Sequence, residues 1–314
     1  MDSLYHTAEI SRGSSSEPLS SEPLSLEVDS QDFFMRSAKE GEQHLFTTRQ
    51  LLQRIVEHRL TALQRNQTLD QYIVFLSVPP AEFSILDNDH QRTGKYYRLF
   101  YHELTGTLLI KVMPNPAHEL AAESFKSLVS VKLHALNIDD EVWPYGSTTV
   151  TGGGWKKQAD CCWAPALTNA SLSLVVEVGL SESARRLALD AHGWLELQAS
   201  VKLVITISIK SKRPEIVFTR WELLPLPRID GAITRAPPAS ARQVVSLKVH
   251  RINNTTSVTG ESTMNGISTT SQLVIPFDKL VNRPPHHPTE EDLVITEEEL
   301  RRLAERIWKQ QGFF

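Results

Sequence analysis

Apolar positions along this chain follow two periods, and the switches between them outline the elements. Leu52, Val56, Leu60 and Leu63 share one helical face, widened by Leu51 and Ile55, so residues 43–66 are predicted to form a helix. The same spacing links Leu120, Ser124, Leu128 and Val131, with Phe125 beside them, and predicts a helix from about Ala117 to Leu136. Leu187, Ala191, Trp194 and Leu195 mark a third, from about Glu182 to Gln198. Leu300, Leu303, Ile307 and Trp308 mark a fourth, Glu297–Gln310, which opens on a capping box made by Thr296 and Glu299.

Strand signals fill the intervals. Gln71–Val78 is stopped by Pro79 and Pro80, and Lys95–Glu103 with Thr107–Met113 flank Thr105-Gly106 as a hairpin. Short strands are expected near Tyr145–Thr151 and Gln158–Trp163, with Gly152, Gly153 and Gly154 turning between them. Leu172–Val178 is a continuous apolar run of strand length, which marks a central strand covered on both faces. Val201–Ile209 and Ile216–Leu223 follow, and Val244–Val249 and Leu273–Ile275 are weaker strands separated by a polar Asn/Thr/Ser segment.

The domain plan comes from where these patterns stop. Residues 1–40 carry the Ser/Glu/Pro repeat "SSSEPLSSEPLS" and too few aliphatic side chains to offset ordering entropy, so disorder is expected there. After the helix of 43–66 comes a core domain, 68–224, then a Pro-rich linker, 225–241. An extension, 242–314, follows, whose terminal helix is expected to pack on the core. Apolar residues make up 40% of the chain, enough for a real core. With 33 basic and 37 acidic residues the net charge is −4, which argues against a general nucleic-acid binder but leaves room for a local basic groove. No apolar run reaches the ~20 residues of a membrane helix, and no charged-then-apolar leader opens the sequence. An intracellular protein, cytoplasmic or nuclear and without membrane contact, is therefore expected. Cys161 and Cys162 are neighbours, so their side chains point to opposite strand faces and a bridge is not expected.

The chemistry sits in the middle third. Asp160 and Glu177 are carboxylates on otherwise apolar strands, and burying them costs several kcal/mol unless a partner is present. Hard divalent cations take oxygen ligands, so the pair is a candidate metal site. Glu119 or Glu123 on the preceding helix could complete it.

The order helix, three strands, helix, strand resembles the core of the restriction-endonuclease-like, or PD-(D/E)XK, superfamily, an α/β (α+β) fold with a mixed central sheet. Within it the chain is similar to the Uma family of endonuclease-like proteins and to uncharacterised eukaryotic relatives. Pro116-Ala117-His118-Glu119 looks like the start of that family's first helix, and Gln158-Ala159-Asp160 stands where it has Pro-Asp. Glu177-Val178-Gly179-Leu180-Ser181-Glu182-Ser183 is similar to its Glu-Val-x-Ser-x-Ser. The Trp194 helix leads into an apolar strand, and Trp221-Glu222 would end the next. The resemblance spans about 110 residues, a third of the chain.

The resemblance implies phosphodiester hydrolysis on DNA or another nucleic acid. Asp160 and Glu177 would hold Mg or Mn, with the Val178 carbonyl as a third oxygen and Glu119 as the helix carboxylate; the cation would shield developing charge and generate hydroxide. The superfamily's lysine two residues after the glutamate is Gly179 here. In the Uma family a lysine of the following helix replaces it, but this helix offers Arg185 and Arg186, then Asp190 and His192. Arginine clamps phosphate but stays charged and is a poor base. Lys156, Lys157 and Lys202 could approach the site without matching the position. Two function classes follow: a metal-dependent nuclease or nucleic-acid-binding relative with a degenerate site, and a non-catalytic interaction protein that keeps the fold.

Several other residues have plainer readings. Ser181 and Ser183 are expected as helix caps rather than nucleophiles, and His118 as structural. His286-His287 lacks a second ligand pair for zinc. Residues 152–157 do not match a phosphate loop, and Lys156-Lys157 reads as a solvated turn.

Overall fold

A computed structural model describes residues 42–65, 67–68, 70–93, 96–113, 116–146, 149–152, 154–166, 171–180, 184–225, 239–263 and 266–314. The tail 1–40, most of the 225–241 linker, and Ser181, Glu182 and Ser183 lie outside the described residues.

The first helix starts later than its stripe suggests, because Glu42–Leu45 forms a strand, β1, parallel to β2 (Tyr72–Leu76). Between them runs α1 (Arg49–Gln64), capped by Thr48, whose Oγ1 accepts from Leu51 N–H at 3.2 Å. A helix not signalled by the sequence pattern follows, α2 (Pro80–Thr93). Pro79-Pro80 does end a strand, but proline also suits the first helical turn, where its missing N–H costs nothing. The hairpin is β3 (Tyr97–His102) and β4 (Thr107–Val112), and then comes α3 (Pro116–Ala135). After β5 (Val142–Tyr145), the Gly-rich turn joins β6 (Thr149–Gly152) to β7 (Trp155–Gln158).

These strands make a six-stranded sheet in the order β1-β2-β4-β3-β7-β6. One face carries Ile73, Phe75, Leu99, Tyr101, Leu108 and Ile110 and packs on Leu52, Val56 and Leu63 of α1 and on Phe83 and Leu86 of α2. The other face carries Tyr72, Val74, Phe100, Leu109 and Trp155.

The chain leaves this sheet at Gln158 and enters a second at β8 (Cys161–Pro165), so Ala159-Asp160 is the crossover. β9 (Leu174–Leu180), α4 (Ala184–Leu197) and β10 (Leu203–Ile209) form a parallel crossover unit, with Glu177 opposite Thr206. β11 (Glu215–Pro225), β12 (Ala239–Ile252), β13 (Thr255–Ser262) and β14 (Ser268–Thr269) add antiparallel neighbours. The order across this eight-stranded sheet is β14-β13-β12-β11-β10-β9-β8-β5. The helix, three strands, helix, strand succession is thus α3, β5, β8, β9, α4, β10, with the β6–β7 hairpin diverted to the first sheet. The fold is mixed α/β, as expected.

The polar segment after Val249 differs from expectation. It is β13, reached through a turn at Asn253 and Asn254, both at positive φ (49° and 63°). Only one face of β13 is buried, by Thr256 and Val258, so a run of Thr and Ser serves as a strand. The chain closes with β15 (Leu273–Ile275), α5 (Phe277–Val281), β16 (Leu293–Ile295) and α6 (Glu297–Gln311). Thr296 and Glu299 form the capping box of α6: Thr296 N–H donates to Glu299 Oε2 at 2.8 Å and Glu299 N–H to Thr296 Oγ1 at 3.3 Å. Leu300, Leu303, Ile307 and Trp308 join α3 and the sheet residues Val176, Val178 and Ile205 in the largest core. On the opposite sheet face Val175 and Val204 pack on Ala191, Trp194 and Leu195 of α4. No described helix is long and apolar enough to cross a membrane.

Candidate functional site

β9 is buried over its whole length, and its residues alternate between the two sheet faces. Val176 and Val178 therefore face α3, while Glu177 faces α4 and the first sheet. Asp160, at the crossover beside it, is fixed by the Val178 N–H, which donates to Oδ2 at 2.8 Å. The two carboxylates meet at one cation, the ammonium of Lys111 on β4. Its Nζ donates to the Val178 carbonyl at 2.9 Å and lies 3.9 Å from Asp160 Oδ2 and 3.8 Å from Glu177 Oε2. Lys111 is the lone charge in the buried run Thr107–Val112.

Each further side chain sits where its strand puts it. On the first sheet Lys111 pairs in register with Tyr72 on one side and with Arg98 on the other, and Phe100 pairs with Lys157. Arg98 Nε approaches Asp160 Oδ1 at 3.3 Å. Lys157 Nζ donates to Asp190 Oδ1 at 2.7 Å and lies 3.8 Å from Glu177 Oε1, with the Trp194 ring centroid 4.9 Å away. Tyr72 Oη donates to Asp190 Oδ2 at 3.4 Å, and the Arg186 guanidinium stacks 3.7 Å from the Tyr72 ring centroid. Trp194 Nε1 donates to Glu177 Oε1 at 2.6 Å. From α3, His118 Nε2 donates to the Val178 carbonyl at 2.9 Å and sits 3.2 Å from Asp160 Oδ2. Glu119 stands at the rim, 3.8 Å from Arg98 and 3.5 Å from His118 Nδ1.

The charges divide by layer. Arg98, Lys111 and Lys157 come from the first sheet; Asp160 lies at the crossover, Glu177 on the second sheet, Asp190 on α4 and Glu119 on α3. His118 adds a further cation. Burial pulls its pKa down, but the charge and hydrogen bond of Asp160 and the Glu119 contact outweigh this and raise it from 6.5 to about 9. Burial pushes Asp160 up, but His118, Lys111 and Arg98 more than offset it and hold the carboxyl well below the usual range. Burial wins at Glu177, whose pKa is raised despite Lys157 and Lys111. Asp190 is lowered: Lys157 and Lys111 overcome the burial.

The site is closed. The side chains of Asp160, Glu177 and Lys111 are 0%, 3% and 7% exposed, whereas Glu119 is 51% exposed. The cavity bounded by Arg98, Lys111, Lys157, Glu177 and Asp190 measures about 20 Å³. That is room for roughly one water.

Some expected residues are elsewhere. Glu123 is exposed and pairs with Lys126 at 3.3 Å. Arg185 is exposed, Lys202 Nζ donates to the Ala199 carbonyl, and Lys156 pairs with Glu103 at 3.2 Å. Lys157 is not in a solvated turn but nine-tenths buried in the site. The structure adds Arg98 and Lys111, on which the sequence patterns were silent. A signal existed for Lys111: a lysine inside a fully apolar strand needs partners for the same reason as Asp160 and Glu177 do.

The metal expected at Asp160 and Glu177 does not fit this arrangement. The three oxygens it would take already surround an ammonium, and Val178 O accepts two N–H donors. Among the described residues no His, Cys, Asp or Glu trio is grouped to hold a metal ion.

No family model matches the chain, and no curated protein matches it. Among solved structures the chain is similar to a "putative nuclease belonging to DUF820" from Anabaena variabilis, with a TM-score of 0.36 and 9% identity. The match covers 66% of this chain and 90% of that one. At that level of similarity nothing about chemistry transfers.

Proposed function

We propose that the chain is a non-catalytic interaction protein that keeps an endonuclease-like core, with the acidic pair Asp160 and Glu177 serving the joint between its two sheets. One observation carries this reading: the Lys111 ammonium lies within 4 Å of both carboxylates in a space of about 20 Å³. Phosphodiester hydrolysis requires a scissile phosphate within about 3.5 Å of its catalytic groups, and no phosphate enters so small a space. Charge supports the same reading. Asp160, Glu177, Asp190 and Glu119 face Lys111, Lys157, Arg98 and His118, so the buried carboxylates have internal partners.

A second reading, a Mg- or Mn-dependent nuclease on DNA or RNA, is favoured by one specific feature. Asp160, Glu177 and the Val178 carbonyl converge on a single point, as oxygen ligands of a hard cation would. Incubation of the purified protein with single- and double-stranded DNA and with RNA, in Mg²⁺ or Mn²⁺, separates the two. No cleavage above that of Asp160→Ala and Glu177→Ala controls is expected. Cleavage that disappears in both controls would establish the nuclease instead.

A further inference from the structure

The second sheet ends in an edge that is only half covered. β14 pairs with β13 at Glu261 and Ser262 alone, and Thr270 N–H adds one bond to the Gly260 carbonyl at 3.0 Å. The stretch Thr255–Thr259 lies beyond that cover. Its backbone directions follow from the ladder. Thr263 N–H donates to the Val244 carbonyl at 2.9 Å, so odd-numbered residues of β13 turn their N–H and C=O toward β12 and even-numbered ones turn them outward. Thr256 and Val258 therefore present N–H and C=O groups at the edge, and no backbone group among the described residues pairs with them. Edge strands in natural sheets are guarded by charge, proline or shortness. β5, the opposite edge of this sheet, has Pro144, and β14 is two residues long. Thr255–Thr259 has neither charge nor proline. Beside it, on the face of Ser246, Lys248 and Glu261, runs an open groove of about 670 Å³ bounded by Thr269 and Ser271. The β12–β13 turn at the other end of the stretch carries Ile252, which is 60% exposed.

We propose that this edge docks a second copy of the chain, the two β13 strands pairing antiparallel about a two-fold axis at Ser257. The stretch is complementary to itself. With Ser257 opposite Ser257, Thr256 of each copy faces Val258 of the other as a hydrogen-bonded pair, and every outward N–H and C=O gains a partner. Thr255 faces Thr259, so small hydroxyl side chains meet across the strands and no like charges do. The same register carries the turn of one copy, from Ile252 to Asn254, to the Gly260–Glu261 end of the other, where the groove lies. There the exposed Ile252 finds cover. Lys212 and Arg213 travel with that turn, because Arg251 N–H donates to the Pro214 carbonyl at 3.1 Å, and both are exposed. They come to the side of Glu261, an exposed acid in the groove wall. A foreign strand could pair with the edge, but a second copy also brings the apolar side chain and the cations to the groove. The contact closes on itself as a dimer and leaves no free edge at β13. This inference goes beyond the non-catalytic reading and does not depend on it, since Asp160 and Glu177 take no part.

Sedimentation of the full chain, with and without edge substitutions, tests this. A contact of this size falls at the weak end of protein interfaces, so a dissociation constant of about 10–100 µM is expected for wild type. Ser257→Lys sets two ammonium groups against each other on the axis and should weaken the dimer at least about tenfold. Its melt should stay close to that of wild type, because the Ser257 hydroxyl meets only His250 Nε2, at 3.2 Å. Cross-linking reads the register separately and needs no folded Ser257→Lys. Ser257→Cys places two thiols at a pair that is not hydrogen-bonded, with Cα atoms about 4.5 Å apart, within reach of a disulfide. Mild oxidation should therefore link Ser257→Cys into a covalent dimer, whereas Thr259→Cys, with Thr255 opposite it, should stay unlinked. Cys161 and Cys162 are buried and do not compete. A wild type that remains monomeric tenfold above the expected range overturns the proposal, whether the edge is bare or taken by another extended segment. A dimer that is untouched by Ser257→Lys and unlinked in Ser257→Cys uses a different surface and also overturns it. Equal linking of Ser257→Cys and Thr259→Cys would contradict the register, and with it the two-fold axis at Ser257. None of these results bears on the nuclease assay, so the two readings fail separately.

Discussion

His118 lies wholly buried between a carbonyl and a carboxylate, and its proton is set by them. Its pKa is raised from 6.5 to about 9, so folding takes up a proton there in the interval between. For a histidine raised on folding, the stabilisation is complete below the unfolded value and is lost as pH climbs through the folded one. The melting temperature should therefore fall between about pH 6 and pH 9.5. The raised pKa of Glu177 acts in the same direction, because its ionisation is also disfavoured by folding. Comparison with His118→Gln isolates the histidine. The stability gap between the two proteins should narrow by about 3 kcal/mol over that range. A constant gap would show that folding does not raise the proton affinity of His118. At this scale the sequence exposed both acids and hid one of the bases. Asp160 and Glu177 stand out among apolar neighbours, and so does Lys111 within Thr107–Val112, but Arg98 lies in a strand whose aromatic and polar residues resemble any half-solvated strand, and only the second layer reveals that it is covered.

Among the elements, α4 joins the two halves of the site. Its stripe of Leu187, Ala191 and Trp194 was legible from spacing, and Trp194 is 1% exposed. The indole also has a duty that spacing does not report: Nε1 donates to Glu177 Oε1 at 2.6 Å. Trp194→Ala should cost roughly 3–5 kcal/mol by thermal or chemical melting. A transition unchanged from wild type would mean that the α4 packing is misassigned. The helices with long stripes, α1, α3, α4 and α6, were readable because burial on one side writes a 3.6-residue period into the chain. The α2 helix was not, since its start is two prolines that also end a strand. Nor was β13, where one-sided burial leaves Thr and Ser in places that look like loop.

For the molecule as a whole, the informative event is the chain's passage between sheets at Ala159-Asp160. Because of it, cations from the first sheet meet anions from the crossover, the second sheet and α4. Long-range layering of this kind leaves no local periodicity, which is why the α–βββ–α–β order was legible while the closure of the site was not. On the proposed reading, the position between Asp160 and Glu177 belongs to the Lys111 ammonium and not to a metal. Calorimetric titration of the wild-type protein with MnCl₂ tests it most directly, run beside Asp160→Asn and Glu177→Gln. The predicted result is no saturable binding in any of the three. One-to-one binding by wild type that vanishes in both variants would contradict it.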